Sequence, residues 1–384
     1  QSALDADDTL LVSASPHECK SLEVAALLGR QFSLKMWRIL TSQRQLPDPL
    51  TLLADLIKGG LLISPAEDQL IFAHARDQEL LVSVAWSEGR AQQWHLYIAQ
   101  EFSKHLSGSP DLMRQVARHW IEARAYQRAI PLLETLIKSA KLLDDYPTLD
   151  ELIMTWSRCL RHTQRSRTSS AWQALRVAWA ERCILRGFDA QGQRHAERAV
   201  EALISRPPSS LYCEALLQCA HAQKWDLQNS ALTLALSQQA VRVAETLGDV
   251  RLKCRCLAHL GVYLHTYGRL DEALHTFSEA LKVIDHQIPS RLQSRVHLGI
   301  ARLCIERDEL NLAQEHCLYA LNLLDQAENL SVRGSILLTA GDVARQLNDL
   351  DLATTRYEEA AELLSNLGAH ELWAAYLNLA LTAH

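Results

Sequence analysis

The C-terminal two thirds of the chain carry a pattern of apolar and small residues that repeats every forty positions. Six positions keep small, apolar or aromatic residues through three successive copies. In the first copy these positions are Leu260, Gly261, Leu270, Ala273, Phe277 and Ala280. Self-similarity at a fixed period of roughly 20–50 residues is typical of solenoids, in which each unit stacks on its neighbours. The pattern therefore predicts a stack of similar units.

Each copy of the pattern predicts two helices. Apolar residues three or four positions apart between Leu257 and Leu264 share one face of a first helix, and Gly268 ends it. A second helix is predicted over 270–281, with small residues along its inner stripe. The small residue Gly261 lets the two helices approach closely, and Phe277 fills the space beside them. Each helix pair keeps an apolar face, so it has to pack on the next pair.

Weaker copies of the helix pair precede these three. The predicted pairs are 211–225 with 230–247, 172–186 with 191–204, and 112–123 with 127–143, and a single helix over 149–160 follows the earliest pair. Residues 371–380 predict the first helix of a further repeat. Because a solenoid normally ends in a polar cap, we expect the native chain to continue beyond His384.

The N-terminal third has a different pattern. Helices are predicted over 18–28, 34–40 and 49–58, a hairpin over 61–63 and 69–72 with its turn at 64–68, and further helices over 76–84 and 90–102. Two short apolar runs around a polar turn favour a β-hairpin. Three helices followed by a hairpin are typical of a winged-helix domain.

Composition adds little to this picture but excludes several classes of protein. Apolar residues make up 48% and charged residues 22% of the 384 residues, as in average globular proteins. The net charge of −6 gives no general attraction to nucleic acid or anionic lipid. No apolar run is long enough to span a membrane, and the N-terminus has neither an initiator Met nor a signal peptide. We therefore expect a fragment of a longer cytoplasmic protein.

The motifs of common chemistries are missing from the chain. There is no GxxxxGK[ST] loop for nucleotide phosphates, no HRD or DFG motif and no HExxH helix. The nine cysteines form no CxxC pair, so we expect them to be reduced and buried. His259 with His265, or His316 with Cys317, could be considered as metal ligands, but packing roles suit them better. We expect no catalysis, no cofactor and no metal.

Two resemblances follow from these residues. The repeats resemble the tetratricopeptide repeat at Gly261, Ala273, Phe277 and Ala280, although the terminal Pro is missing and the period is 40 rather than 34. The first 145 residues resemble the winged-helix module of STAND-class signalling ATPases at 22–32 ("AA-lGr-F"), 72–74 ("FxH"), 94–99 ("lHxxiA") and 117–129 ("A-H-axxyxxA").

These resemblances imply a mainly α fold. A winged-helix-like domain would occupy 1–105, and an α–α superhelix of tetratricopeptide-like repeats would occupy 106–384. The STAND resemblance implies an ATPase core upstream of Gln1 and makes His74 and His95 switch-module positions. His74 would then either contact nucleotide across the module or hydrogen-bond to nearby backbone.

The charge of the winged-helix region argues against DNA binding. Residues 1–106 hold nine Lys or Arg against thirteen Asp or Glu, a net charge of 9 − 13 = −4. The candidate recognition helix, 48–58, offers one Lys and two Asp, and the wing carries Glu67 and Asp68. Each contact with a phosphate requires a cation. We do not expect this region to bind nucleic acid.

Tetratricopeptide arrays bind peptides or proteins on the concave face formed by their first helices, and the repeat register predicts which residues line that face here. They are Trp225, Arg255, Val262, His265, Arg295, Arg302, Asp342 and Arg345. The four arginines would suit an acidic peptide, a carboxylate or a phosphate ligand. Alternatively, they pair with Glu306 and Asp342 across repeats and serve the fold.

Three functions follow from the sequence. The first is a non-catalytic regulatory or sensor fragment of a STAND-type signalling protein, which binds a protein, peptide or small ligand. The second is a tetratricopeptide scaffold that assembles a complex without an ATPase. The third is a DNA-binding regulator that uses the winged helix. A GxxxxGK[ST] motif encoded upstream of Gln1 would separate the first from the second.

Overall fold

The computed structural model describes residues 15–106, 108–224, 226–285, 287–324, 329–367 and 372–382. In these ranges the chain forms nineteen α-helices and one small three-stranded sheet. Contacts divide it into two compact units, one of 1–136 with 161–163 and one of 137–160 with 164–384. The mainly α fold class is confirmed, while the domain boundary near residue 105 stays a prediction.

The first unit has a winged-helix-like arrangement. Its elements are α1 (Pro16–Leu28), β1 (Gln31–Ser33), α2 (Leu34–Ser42), α3 (Pro49–Lys58), β2 (Leu62–Ala66), β3 (Gln69–Phe72), α4 (Ala75–Ser87), α5 (Ala91–Ser103), α6 (Pro110–Glu122) and the first part of α7 (Tyr126–Leu142). The helix starts follow capping chemistry. Ser15 and Glu18 form a capping box at α1, and Asp48 accepts a hydrogen bond from Leu50 N at α3. The three predicted helices and the hairpin are all present.

A third strand, β1, completes the sheet and was missed in the sequence. The strand order is β1-β3-β2, and β1 pairs antiparallel with β3, so that Phe32 lies opposite Leu70. Three residues are too few to show an alternating pattern. The strand forms because the Phe32 ring packs on Trp37 and Phe72, with centroids 5.7 and 5.5 Å away. Trp37 in turn donates from Nε1 to Ser21 O at 2.8 Å.

The turn predicted at 64–68 is wrong in length. Strand β2 continues to Ala66, so the turn is confined to Glu67 and Asp68. Pro65 is tolerated because β2 is an edge strand, where one missing donor breaks no ladder. Asp68 accepts hydrogen bonds from Lys35 N at 2.7 Å and Ser33 Oγ at 2.8 Å, which lower the pKa of its carboxyl. The wing acid therefore caps α2.

The second unit consists of paired helices. Its elements are the end of α7, α8 (Tyr146–Arg161), α9 (Ser170–Leu185), α10 (Asp189–Leu203), α11 (Ser210–Ala222), α12 (Ser230–Leu247), α13 (Val250–Thr266), α14 (Leu270–Lys282), α15 (Ser290–Glu306), α16 (Leu310–Asn322), α17 (Leu330–Gln346), α18 (Leu350–Leu367) and α19 (Leu372–Thr382). The two helices of every predicted pair are present. The largest shifts in this unit are of three residues: α11 ends at Ala222 rather than 225, and α8 begins at Tyr146 rather than 149.

The forty-residue period recurs in the backbone of the turns between paired helices. Gly268, Asp308 and Asn348 follow one another at intervals of forty and all have left-handed φ values, of 74°, 63° and 65°. Glycine adopts this conformation without strain, and Asn and Asp tolerate it better than other residues. The turn geometry therefore repeats even where the residue type changes.

Aromatic rings interlock neighbouring helices at glycine positions. A Cβ atom added at Gly261 would lie 2.7 Å from the ring of Phe277, and one added at Gly299 of the next repeat would lie 2.3 Å from it. Tyr357 fills the same role eighty residues further on, where a Cβ at Gly341 would lie 2.5 Å from its ring. The predicted close approach at Gly261 is confirmed, and it extends to the next repeat through Gly299.

None of the described helices is long and apolar enough to cross a membrane. All nine cysteines are free, and eight of them are buried. Cys213 and Cys256 lie closest, with their Sγ atoms 3.2 Å apart between α11 and α13.

The interlock predicts a specific coupling between Gly299 and Phe277. Gly299→Ala should lower the free energy of unfolding by about 1–3 kcal/mol, because the new methyl group overlaps the ring. In a Phe277→Leu background the same change should cost at least about 1 kcal/mol less, because the overlap is relieved. Urea denaturation of the four proteins of this double-mutant cycle measures the coupling. An equal cost of Gly299→Ala in both backgrounds would contradict the interlock.

Candidate binding groove of the repeat unit

The first helices of the pairs form the inner layer of the second unit. Helices α9, α11, α13, α15 and α17 each contact the next one in this series, whereas the second helices of successive pairs scarcely touch one another. Closer spacing on one side means that the array curves toward that side. The first helices therefore line a concave face.

Residues on this face form a cluster of charged and polar side chains, which we call the interior cluster. Its members are Lys141, Asp144, Glu181, Glu214, His221, Lys224, Arg255, His259, Tyr263, Arg291 and Arg295. They come from the end of α7 and the turn after it, and from α9, α11 with its C-terminal turn, α13 and α15. Hydrogen bonds or charge interactions connect each member to at least one other.

The turn after α7 closes the curve of the array. Buried Asp144 accepts hydrogen bonds from Arg291 Nη2 at 3.4 Å and from Ser331 N at 3.1 Å. Arg291 also donates from Nη1 to Lys141 O at 3.0 Å. These contacts join residues that are about 150 or more positions apart in the sequence. The repeats therefore curve back on themselves, and the concave face encloses a groove.

The carboxylates of the groove are held by cations from neighbouring repeats. Lys141 pairs with Glu181, and Arg255 donates from Nη2 to Glu214 Oε1 at 2.9 Å. Burial opposes ionisation of Glu181, but the charges of Lys141, Arg255 and Arg291 outweigh it and lower its pKa. Glu181 nevertheless keeps 33% of its side-chain surface accessible. A residue that is surrounded by protein and still has accessible surface is expected to line a groove.

A neutral hydrogen-bonded group lies beside these ion pairs. The hydroxyl of Tyr263 lies 3.3 Å from His221 Nδ1 and 3.5 Å from His259 Nδ1. Burial, assisted by the charges of Lys224 and Arg295, lowers the pKa of His221 to about 3. Burial and the same cations keep the pKa of His259 well below its ordinary value. Both imidazoles are therefore neutral near pH 7 and add no charge to the groove.

The remaining polar groups of the cluster include unfilled donors. Among the described residues, Arg295 has no hydrogen bond and no ion pair, although its side chain is exposed to the groove and close to Tyr263 and Arg291. Burial is the main cause that lowers the pKa of Arg295. The buried Nε of Arg255 also has no acceptor in the described part of the chain. With five cations and three carboxylates, the cluster carries a net charge of 5 − 3 = +2.

Two of the concave-face residues predicted from the sequence belong to the interior cluster. Arg255 and Arg295 lie close enough to share the electrostatic environment of His259. Val262 is half-buried and packs against the apolar core of its repeat. Trp225 lies outside the described residues.

The other predicted residues lie further along the same face. Arg302 donates from Nε to Thr339 Oγ1 at 3.3 Å. Asp342 accepts from Tyr357 Oη at 2.7 Å and from Asn378 Nδ2 at 3.0 Å, and burial raises its pKa. Burial lowers the pKa of His265, which interacts with the charge of Arg302. Arg345 is exposed. Binding by any of these residues stays a prediction.

Sequence reasoning missed most of the interior cluster. His259 lies four positions after Arg255 on α13, and Arg291 lies four positions before Arg295 on α15, so helical spacing could have found both. The spacing gives no signal for Lys141 or Asp144. These two residues reach the groove only because the array curves back to them.

The two histidines of the STAND-like motifs lie in the first unit. His95 is buried, with its Nδ1 2.8 Å from His119 Nδ1, and burial lowers its pKa to about 4. The guanidinium of Arg118 donates to His119 Nε2 at 3.3 Å, so His119 carries its proton on Nδ1 and donates it to His95. His74 is exposed at the start of α4. His95 thus fits a packing role, while a switch role for either residue stays a prediction.

Two other kinds of site are less well supported in the part of the chain that the structure describes. In the described ranges, no three His, Cys, Asp or Glu side chains lie close enough together to hold a metal ion. An open cavity of about 630 Å³ lies in the first unit between α2 and the wing. Three of its charged residues are already engaged, since Arg38 pairs with Asp48 at 3.1 Å and Asp68 caps α2. The groove is therefore the stronger candidate.

No protein-family model and no curated protein sequence matches this chain. Solved structures do match. One is the Signal Transduction ATPase with Numerous Domains (STAND) protein with a tetratricopeptide repeat sensor, PH0952 from Pyrococcus horikoshii, at a TM-score of 0.54 and 14% identity over 98% of this chain and 61% of that one. This chain thus spans 61% of the length of the Pyrococcus protein. The likeness shows a tetratricopeptide-like α–α superhelix.

Two further matches are proteins that were solved in complexes. NprR with its cognate peptide NprX has a TM-score of 0.51 and 14% identity, over 74% of this chain and 81% of that one. The Rap protein complexed with Competence and Sporulation Factor has a TM-score of 0.50 and 12% identity, over 76% of this chain and 93% of that one. At such low identity these matches show the fold alone.

The lowered pKa of His221 predicts an acid-sensitive repeat unit. The folded state keeps His221 neutral, whereas the unfolded chain binds a proton as pH falls below about 6.5, so stability is lost from there toward pH 3. Between pH 7.5 and 5.5 the free energy of unfolding of wild type should fall by about 1.4 kcal/mol more than that of His221→Asn. Urea denaturation at the two pH values measures this difference.

The matched control is His275→Asn, which replaces an exposed histidine on α14. Its pH dependence should equal that of wild type. An identical pH dependence in wild type and His221→Asn would contradict a neutral, buried His221.

Proposed function

We propose that this chain is a non-catalytic regulatory or sensor part of a STAND-type signalling protein, and that it binds a peptide or protein partner in the groove of its repeat unit. The observation that carries the proposal is the enclosed, positively charged concave face. Partner binding there would stabilise one arrangement of the repeats, and the rest of the parent protein would respond to that arrangement.

The groove has the properties that peptide binding requires. It is formed by several successive first helices, so it extends along the array and can contact an elongated ligand at many points. Its walls combine fixed charges with neutral hydrogen-bonding groups such as Tyr263 and His259. Because ion pairs and hydrogen bonds across repeats hold these side chains, a ligand meets a preorganised surface.

The known structures of similar fold support this use of the groove. NprR was solved in complex with its cognate peptide NprX, and the Rap protein was solved in complex with Competence and Sporulation Factor. The match to the Pyrococcus STAND protein and the motifs at 22–32 and 72–74 support the parent class. The missing nucleotide and kinase motifs support a role without catalysis. A cytoplasmic location fits this role.

Peptide capture by the immobilised full chain tests the proposal. A synthetic pool of random heptapeptides is passed over the chain, and retained peptides are identified by mass spectrometry and re-synthesised for affinity measurement. The double variant Arg302→Glu with Arg345→Glu reverses two charges predicted to lie on the concave face. It should lower the affinity for the retained peptides at least tenfold, which corresponds to about 1.4 kcal/mol. The two introduced carboxylates would repel the acidic peptides that the positively charged groove favours.

A matched double variant controls for charge and stability. Arg242→Glu with Lys282→Glu reverses two exposed charges on the second helices α12 and α14, outside the groove. It should bind as wild type does, and circular dichroism should show all three proteins folded. Retention of no peptide by wild type, or equal binding by the inner double variant, would refute the proposal.

A further inference from the structure

We propose that Arg295 is the recognition residue of the groove and that it binds one carboxylate of a peptide ligand. The proposal rests on the proposed function, because it assigns the chemistry of the ligand at the same groove. It commits to a carboxylate held on a peptide chain, either an Asp or Glu side chain or a free C-terminus.

Arg295 differs from the neighbouring cations in its lack of an ionic partner. Lys141 pairs with Glu181, Arg255 with Glu214, and Arg291 with Asp144. Arg295 lies among these pairs and has no carboxylate within ion-pair distance in the described part of the chain. Arg295 is exposed, so its guanidinium N–H donors are available to a ligand. A guanidinium left accessible in a groove is therefore set up for an anion that comes from outside.

The net charge of the interior cluster favours a ligand group with a single negative charge. The cluster has a net charge of +2, so it attracts an anion. The carboxylates of Glu181 and Asp144 lie near Arg295, and they repel a group with two negative charges more strongly than a group with one. A single carboxylate adds one charge and presents two oxygens in the plane that a guanidinium fork accepts.

The test uses paired synthetic heptapeptide pools and the intact chain. In one pool a single position is Asp or Glu, in the matched pool it is Asn or Gln, and each pool is made both with a free C-terminus and with a C-terminal amide. Binding to wild type is compared with binding to Arg295→Met, which keeps the apolar stem and removes the charge. The control is Arg242→Met on the exposed face of α12.

Wild type and Arg242→Met should prefer peptides that carry a carboxylate by roughly tenfold to a hundredfold over their amide counterparts. Arg295→Met should lose that preference. If the preference for a carboxylate survives amidation of the C-terminus, Arg295 binds an Asp or Glu side chain. If amidation removes the preference, Arg295 binds the free C-terminus.

Two outcomes would overturn the proposal in different ways. If wild type binds peptides without preferring carboxylates, or if Arg295→Met keeps the preference, the role of Arg295 is refuted while peptide binding in the groove stands. If wild type binds none of the pools, the proposed function fails and this proposal fails with it.

Discussion

Contact between an aromatic ring and the backbone of glycine-bearing helices fixes how the repeats stack. The ring of Phe277 occupies space that a Cβ atom at Gly261 or Gly299 would need, and so it joins three consecutive helices. Because interiors are packed as densely as crystals, such contacts leave little freedom in the angle between helices. A small rotation repeated from one pair to the next produces the curvature of the array. The groove exists only because this curvature is maintained.

Curvature turns separate surface charges into one electrostatic site. Asp144 follows α7, yet it binds Arg291 of α15 and the first residues of α17. Charges from five different parts of the chain consequently act on one another at a place where protein surrounds them. Interactions there are stronger than at an open surface, because water screens them less. Most of the carboxylates and cations pair with one another, whereas Arg295 has no ion pair or hydrogen bond among the described residues.

The sequence predicted the helix pairs well, because periodic small and aromatic positions such as Gly261 and Phe277 are local signals of close packing. It missed β1, since Gln31–Ser33 forms a strand only through its partner β3. It also placed Arg255 and Arg295 on the concave face but did not find Lys141. The reason is physical: the position of Lys141 in the groove depends on the summed rotation of several repeats, which no short pattern encodes.

Chemical modification of arginine provides the most direct test of the central claim, because it needs no ligand. An arginine-selective dicarbonyl reagent is added to the folded chain, and mass spectrometry follows the modification of each arginine with time. We expect Arg295 to react about as fast as exposed Arg242 and several times faster than Arg291, which is held by Asp144 and Lys141 O. If Arg295 reacts as slowly as Arg291, then its guanidinium is not accessible and unpaired, and the proposed groove does not exist in solution.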